Sequence, residues 1–189
     1  SPLYEKIVPV KEPLTLKSAT FAQGRQMGKT LILPVRWNMA TAKHVSGDSP
    51  SVKLLTNGIR GSLKYSDSEW CTWNDNDSVS FTIDLLKPET LNTLTLGCIT
   101  NNGMAIHKPS SVKVEVSDDN SSFCEAAMRS FTPEEIFREG NFIENLPLKL
   151  RGTQARYVRV TAKGPGVCPA SHVRPGQVSR ILFDEMILE

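Results

Sequence analysis

The sequence lacks a strong excess of charge of either sign, and it lacks any long apolar run. Its 189 residues carry 22 Lys and Arg against 20 Asp and Glu, which gives a formal net charge of +2 at pH 7. No cluster of basic residues is available to follow a phosphate backbone, so we expect no nucleic-acid partner. The longest apolar stretch, around residues 31–33, is far shorter than the roughly 20 residues that span a bilayer. The sequence therefore predicts no membrane-spanning helix.

Closely spaced cysteines are also absent. The four cysteines are Cys71, Cys98, Cys124 and Cys168, and no two of them form a C-x-x-C pair. This spacing argues against a zinc site, whereas the even number leaves a disulfide open. Cys98 lies in an apolar strand pattern, where a small buried thiol is the more common role.

A pair of facing carboxylates, which glycoside hydrolysis needs, is missing from the sequence pattern. Asp75 and Asp77 precede a strand and are interpreted as a solvated turn. Asp184 and Glu185 are adjacent, and neighbouring residues of a strand point to opposite faces of the sheet. The other candidates for catalysis are the three histidines, His44, His107 and His172. Their spacing fits neither a metal site nor a nucleophile with its base, so we expect no catalysis by this chain.

Alternation of apolar and polar residues with a period of two is the dominant pattern that is present. It covers four segments, residues 79–85, 94–98, 112–116 and 158–161. Such alternation predicts strands with one buried face. The closing segment, residues 180–188, is apolar on both faces and is predicted to be a strand in the interior of a sheet.

Turn signals separate these strands, and helix signals are rare. Asn57-Gly58 and Asn102-Gly103 are typical turn pairs. The one helix start is the capping box at residues 132–135, and Gly140 is expected to end that helix after about two turns. Many short strands with almost no helix predict an all-β fold, an antiparallel β-sandwich of the jelly-roll kind.

The first 33 residues differ in character from the rest. They accommodate two short strands and their turns, which is too little to close a sandwich. Because the chain starts at Ser1 and no charged-then-apolar leader follows, we expect it to be a piece of a longer polypeptide. Residues 1–33 are interpreted as a remnant of a preceding domain, and residues 34–189 as the jelly-roll domain.

Several ordered motifs in residues 34–189 resemble a known family. They read LLTNGIRGS from Leu54, EWCTWNDNDSVSFTIDL from Glu69, ARYVRVTAKGPGVCPASH from Ala155 and FDEMILE from Phe183. These motifs resemble the discoidin-like C-type domain of coagulation factors five and eight. They are most similar to the version at the C-terminus of bacterial family 20 β-N-acetylhexosaminidases, the chitobiase-type enzymes. That domain is related to family 32 carbohydrate-binding modules.

The N-terminal segment extends the resemblance. SPLYEKIVPVKEPLTLKSATF and the following GRQMGK resemble the last strands of the small sandwich that comes after the catalytic barrel in the same enzymes. The resemblance implies a galactose-binding-domain-like fold and a noncatalytic carbohydrate-binding role. It also implies a secreted, periplasmic or cell-surface parent enzyme. The implied partners are glycans that contain N-acetylhexosamine or galactose, and the catalytic domain of the same polypeptide.

The resemblance further implies a structural calcium ion. In the family, an Asp-Gly loop and a Glu in the last strand hold calcium through side-chain and carbonyl oxygens, which suits a hard cation. The matching residues are Leu55, Asn57, Ile59, Ser62 and Glu185. Asn57 stands where the family usually has Asp, so one negative charge is missing and binding is expected to be weaker. The alternative is an Asn-Gly turn that hydrogen bonds to Glu185 without a metal.

For sugar recognition, the family uses loops at one end of the sandwich and stacks an aromatic ring on the sugar. The matching loops are residues 70–77, 101–107 and 164–177. The predicted ligand-binding residues are Trp70, Trp73, Asn101, Asn102, His107, His172 and Arg174. At least one of the two tryptophans is expected in the core, because tryptophan is highly buried on average.

Two other functions remain open. Met104-Ala105-Ile106 stands where the family often has its loop aromatic, which favours a structural appendage that binds no ligand. Coagulation relatives insert apolar loop tips into membranes, and Met104 and Ile106 are the candidates for such a tip. No Lys or Arg cluster flanks them to meet anionic lipid. We therefore rank glycan binding first, a structural appendage second and membrane binding last.

Overall fold

A computed structural model describes residues 3, 10, 12–73 and 78–189 of the protein. The chain divides into two units, Ser1–Trp37 and Asn38–Glu189. Among the described residues, no helix has the length and apolar character needed to cross a membrane.

The first unit contains a β-hairpin. Strand β1 (Leu14–Ala22) pairs antiparallel with strand β2 (Arg25–Val35). The turn between them places Gly24 at a φ of 76°, a conformation that glycine adopts without steric cost. The two strands predicted for this region are confirmed.

The second unit is an antiparallel β-sandwich. Its strands in the described residues are β3 (His44–Gly47), β4 (Cys71–Trp73), β5 (Ser78–Asn101), β6 (Ser111–Ser117), β7 (Cys124–Ser130), β8 (Asn141–Lys163) and β9 (Ile181–Leu188). The strand order is β4-β9-β5-β8-β6-β7, and β3 also pairs with β5. All of these pairings are antiparallel.

The two longest strands, β5 and β8, run through both layers of the sandwich. The first half of β5 pairs with the second half of β8, with Phe81 opposite Val160. The second half of β5 pairs with the first half of β8, with Leu96 opposite Leu146. Between the halves the register shifts, and Leu86 takes a φ of 75° where the chain turns. Apolar side chains from both halves share one core, as in the predicted jelly-roll sandwich.

The alternating segments form strands as predicted. Residues 79–85 and 94–98 are the two halves of β5, residues 112–116 lie in β6, and residues 158–161 lie in β8. Strand β9 lies between β4 and β5 and is buried almost throughout, which confirms its interior position.

One short helix interrupts the strands. Helix α1 (Pro133–Ile136) begins after Thr132, whose side-chain oxygen accepts the Glu135 N–H, and the Glu135 carboxylate accepts the Thr132 N–H in return. The predicted capping box is therefore confirmed. The helix makes one turn rather than about two. It ends because Phe137, at a φ of −95° and a ψ of 24°, leaves the helical conformation, and Gly140, at a φ of 127°, leads into β8.

All four cysteines are free thiols. Cys71, Cys98 and Cys168 are buried, and Cys124 is exposed. Burial raises the pKa of the Cys71 and Cys98 thiols, which keeps both protonated and inert at neutral pH.

Candidate functional site

The residues predicted to hold calcium lie where a loop meets β9. Residues 57–62 follow a turn of 3-10 helix, Val52–Thr56, and the Gly58 N–H donates to Glu185 Oε2 over 3.0 Å. The other carboxylate oxygen of Glu185, Oε1, is buried and has no hydrogen-bond partner among the described residues. Burial raises the pKa of Glu185 to about 8. An unpaired buried carboxylate oxygen is costly unless a cation or a proton meets it.

Asn57 shapes the same loop through both ends of its amide. Its Oδ1 accepts the Ile59 N–H over 2.8 Å, and its Nδ2 donates to Glu69 Oε2 over 2.7 Å. The Asn-Gly turn and its hydrogen bond to Glu185 are therefore present. The carboxylate of Glu69 was not anticipated from the sequence. Because Asn57 Oδ1 retains a second lone pair, the turn and a bound cation are compatible.

Asp184 fixes the loop to β9 through a buried ion pair. Arg60 Nε donates to Asp184 Oδ2 over 2.7 Å, and the Gly61 N–H donates to the same oxygen over 2.9 Å. Asp184 is fully buried, and the side chain of Arg60 is 20% exposed. The ion pair holds the 57–62 loop against β9.

The side chains of Asp184 and Glu185 both contact the 57–62 loop, so the prediction that they point to opposite faces is wrong. The strict alternation fails because the register between β9 and β5 shifts between Leu96 and Cys98. A bulge of this kind re-aims the side chains of the residues within it.

Both predicted stacking tryptophans are buried, with 4% exposure each. The Trp73 ring lies in the main core, with its centroid 6.1 Å from that of Phe81 and 5.8 Å from that of Phe183. Trp70 packs in a second apolar cluster, and its Nε1 donates to the Ser62 carbonyl over 3.0 Å. Neither ring offers a face to a sugar, because Trp73 on β4 is buried in the main core and Trp70, just before β4, is buried in the second cluster. The expected core position thus applies to both residues.

A pocket of about 130 Å³ opens between three loops of the second unit. We call it the loop pocket; it is lined by Asn102, Phe137, Glu139, Pro169, Ser171, His172 and Val173. Two of the three predicted loops, residues 101–107 and 164–177, meet here. The third predicted loop contributes no lining residue, and its segment 74–77, with Asp75 and Asp77, lies outside the described residues.

The predicted polar residues converge on this pocket at different depths. Asn102 and His172 line it, with Asn102 Nδ2 3.2 Å from His172 Nε2. His107 lies behind them and is fully buried, with its ring centroid 5.0 Å from that of His172. Arg174 is exposed, and its guanidinium donates to the Gly103 carbonyl. Asn101 is half-buried and pairs through its backbone with Ile106, outside the lining.

Phe137 is the aromatic residue of the loop pocket, and the sequence analysis missed it. Its half-buried ring lies 5.0 Å from the His107 ring and 6.1 Å from the His172 ring, centroid to centroid. It follows α1, outside the three loops that the resemblance indicated. An aromatic residue between a capped helix and Gly140 was the available signal.

Met104 and Ile106, the candidates for membrane insertion, do not form an exposed tip. Ile106 is fully buried, and Met104 is half-buried against the same apolar cluster that contains Trp70. The Arg180 side chain donates to the Met104 carbonyl over 3.2 Å and holds this turn inward. The two candidates for an apolar tip therefore pack into an apolar cluster of the fold.

Three solved structures have similar folds at low sequence identity. One is a mutant of the lectin binding domain of Lectinolysin complexed with Lewis b, with a TM-score of 0.53, 18% identity, and coverage of 82% of this chain and 97% of that chain. Another is a fucose binding module from Streptococcus pneumoniae, with a TM-score of 0.52, 18% identity, and coverage of 81% and 97%. The third is CpGH89CBM32-5 from Clostridium perfringens, in complex with GalNAc-beta-1,3-galactose, with a TM-score of 0.51, 14% identity, and coverage of 77% and 94%.

The family of the chain is identified from its sequence. No curated protein sequence matches the chain. The profile of the F5/8 type C domain matches residues 40–174, which is more than half of the chain and lies within the β-sandwich unit. The β-sandwich fold is consistent with this match, and the chain belongs to the F5/8 type C, or discoidin-like, domain family.

Proposed function

We propose that the chain is a noncatalytic carbohydrate-binding module that holds its ligand in the loop pocket. The observation that carries the proposal is the combination of a half-buried aromatic ring, Phe137, with polar atoms of Asn102 and His172 in one concave site. A sugar offers an apolar ring face and hydroxyl groups, and such a site meets both. Solved structures of similar fold carry Lewis b and GalNAc-beta-1,3-galactose, which supports the same ligand class here.

The pocket also has unused hydrogen-bonding capacity. One end of the Asn102 amide pairs with His172 Nε2, and the other end is left to hydrogen bond to a sugar hydroxyl. Glu139 and Ser171 are exposed at the rim. The volume of about 130 Å³ is well below the roughly 300–1,000 Å³ of ordinary ligand pockets. The site therefore suits part of one monosaccharide, bound weakly, with a dissociation constant of about 1 mM.

We infer further that the parent polypeptide is a β-N-acetylhexosaminidase of family 20 that acts outside the cytoplasm. The support is the order of the motifs in residues 34–189, together with a separate hairpin unit where those enzymes have the end of the preceding sandwich. The ligand would then be a glycan with N-acetylhexosamine or galactose. Tethering raises the effective concentration of the catalytic domain near that glycan, so weak binding by the module is sufficient.

Replacing Phe137 with alanine is expected to weaken sugar binding about tenfold, since a stacked ring contributes roughly 0.5–1.5 kcal/mol beyond its area burial. N-acetylglucosamine, N-acetylgalactosamine and galactose would each be titrated by isothermal calorimetry or by NMR chemical shifts. The matched control is Phe123→Ala, which removes a half-buried phenylalanine stacked under Arg159, outside the pocket lining. This control should keep the affinity of the native protein.

Two results would contradict the glycan proposal or its location. If the folded native protein shows no saturable binding at millimolar sugar, the chain is a structural appendage. If binding is equal in Phe137→Ala and in the native protein, the ligand lies elsewhere on the sandwich.

We also propose that Glu185 and the 57–62 loop hold a structural calcium ion. Glu185 Oε1 would supply the charged ligand, and the neutral oxygens would come from Asn57 Oδ1 and the carbonyls of Leu55, Ile59 and Ser62. The support is the unpartnered, buried Oε1 of a carboxylate whose other oxygen is bonded to the Gly58 N–H of this loop. Burial disfavours the charged form of Glu185, and a bound calcium ion would compensate that negative charge.

The titration of Glu185 makes the calcium proposal testable. Its pKa of about 8 in the folded protein exceeds the ordinary 4.5, so without metal the stability falls as pH rises towards 8. Between pH 6.5 and 8 this loss amounts to about 2 kcal/mol. His107 does not titrate in this pH window, because burial lowers its pKa from 6.5 to about 4. We expect Glu185→Gln to flatten the profile measured by urea unfolding in a chelator.

Calcium should restore the stability lost at pH 8 in the native protein and not in Glu185→Gln. The exposed Glu125→Gln serves as the control and should behave like the native protein. Asn57→Asp restores the family's charge, and combined with Glu69→Gln, which removes the carboxylate that would face it, this change should tighten calcium binding. If calcium leaves the unfolding midpoint of the native protein unchanged at pH 8, the loop is an Asn-Gly turn that binds Glu185 without a metal.

A further inference from the structure

Behind the loop pocket, three side chains with metal-binding atoms converge. They are His107, Cys168 and His172, all buried, and one ligand atom from each lies within 4.8 Å of the others. Two separate loops, residues 101–107 and 164–177, bring them together. This cluster is distinct from the calcium loop in its residues and in the chemistry of its donor atoms.

Ser179 connects two of these side chains. Its Oγ lies 3.1 Å from His107 Nδ1 and 3.3 Å from Cys168 Sγ. When the His107 Nδ1–H donates to this hydroxyl, the lone pair of His107 is on Nε2. The hydroxyl can then donate its own proton to the sulfur of Cys168, which stabilises a thiolate. Second-shell partners fix the tautomer of metal-binding histidines in this way.

The other ring nitrogen of His107 has no role in the fold. His107 is fully buried, and its Nε2 has no hydrogen-bond partner in the described parts of the chain. A buried polar nitrogen without a partner costs free energy, and such groups in native proteins are rare. With Nδ1–H donated to Ser179, the lone pair on Nε2 is available to a ligand. A cation in contact with Nε2 would account for this nitrogen.

His172 supplies the third ligand and the entry path. It lines the loop pocket and is 9% exposed, so an ion can reach the cluster from solvent along its ring. Its Nδ1 accepts the Arg174 N–H over 3.0 Å, and its Nε2 lies 3.2 Å from the Asn102 side chain. Coordination by His172 replaces one of these two partners. Metal binding therefore costs His172 either its hydrogen bond from the Arg174 N–H or its contact with Asn102.

We propose that His107, Cys168 and His172 form a binding site for a transition-metal ion, Zn²⁺ in particular, with a fourth position open to the loop pocket. A thiolate with two imidazoles selects Zn²⁺ over the hard cations Ca²⁺ and Mg²⁺. Ligand atoms at about 2.0–2.3 Å from Zn²⁺ in a tetrahedron lie roughly 3.3–3.8 Å apart. The cluster therefore has to contract by about 1 Å on binding. The metal site shares His172 with the loop pocket, but the proposed glycan binding requires no metal.

The test is a titration of the chelator-treated full chain with Co²⁺, which reports thiolate ligation through a charge-transfer band in the near ultraviolet. We expect one equivalent of Co²⁺ to give this band, Zn²⁺ to abolish it by displacement, and excess Ca²⁺ to leave it unchanged. Cys168→Ser and His107→Gln should remove the band. Ser179→Ala should weaken Zn²⁺ binding about 10- to 100-fold, the usual effect of losing a second-shell partner.

The matched control is Cys124→Ser, which removes the exposed cysteine and should bind Co²⁺ like the native protein. The absence of the band in the folded native protein at saturating Co²⁺ would overturn the proposal, even if the variants fail to fold. So would a band that survives Cys168→Ser and disappears in Cys124→Ser. Sugar titrations in chelator are independent of these results, so failure of the metal site and failure of glycan binding remain distinguishable.

Discussion

Replacing Trp73 with alanine is expected to destabilise the β-sandwich by about 3–5 kcal/mol, the usual cost of deleting a buried aromatic side chain. The ring is 4% exposed and contacts Phe81 in a stacked and Phe183 in an edge-on arrangement. Its removal loses these contacts and leaves a cavity beside Phe81 and Phe183 in the main core. Because domains of this size have total stabilities of about 5–15 kcal/mol, the variant would be close to unfolding.

Urea unfolding followed by circular dichroism is the measurement for this variant. Trp37→Ala is the control, since Trp37 is 38% exposed and its replacement should change the stability by less than about 0.5 kcal/mol. A loss of sugar binding by Trp73→Ala would then report unfolding rather than a ligand contact. Normal stability combined with lost sugar binding would contradict the core position of Trp73.

The second large effect is expected for Arg60→Met, which leaves the carboxylate of Asp184 buried without its ion-pair partner. Removing one partner of a buried pair costs about 3–5 kcal/mol, and the 20% exposure of Arg60 places this case near the lower value. The same substitution also removes a 2.9 Å hydrogen bond from Arg60 Nη2 to Asn145 Oδ1. The 57–62 loop would lose its side-chain contact with β9 and keep the hydrogen bonds of the Gly58 and Gly61 N–H groups, so the predicted calcium site should be weakened.

A double-mutant cycle in urea separates the charge effect from the loss of packing. Asp184→Asn should recover part of the stability in the Arg60→Met background, because the unpaired charge is then absent. The control is Arg156→Met, whose ion pair with Asp84 lies at the surface and should contribute much less. An equal loss in the two arginine variants would contradict the special cost of the buried pair.

Gly97→Ala is expected to disturb the Arg60–Asp184 ion pair from the side of β5. A Cβ at position 97 would overlap Asp184 Oδ1 and Arg60 Nη2. The absence of a side chain on this strand residue allows the ion pair to form against the backbone of β5. The sequence pattern presents Gly97 only as a polar-face position in an alternating strand, so this role becomes visible only when β9 is paired with β5.

The sequence by itself determined the strands of the sandwich and the start of the helix. Side-chain alternation is a local property with a period of two, so it identified both halves of β5 and the segments in β6 and β8. The double-sided apolar character of β9 placed that strand in the sheet interior. The capping box at Thr132 depends on residues within one turn, and it too was correct.

The tertiary structure alone decided which residues meet at each candidate site. It placed Trp70 and Trp73 inside the sandwich and Phe137 in the loop pocket. It also brought His107 and Cys168 together, although their spacing in the chain argued against a metal site. The physical reason is that spacing rules describe neighbours within one element, whereas the ends of a jelly roll collect loops from distant parts of the chain. Strand pairing and core packing, which are non-local, determine which side chains those loops present to one another.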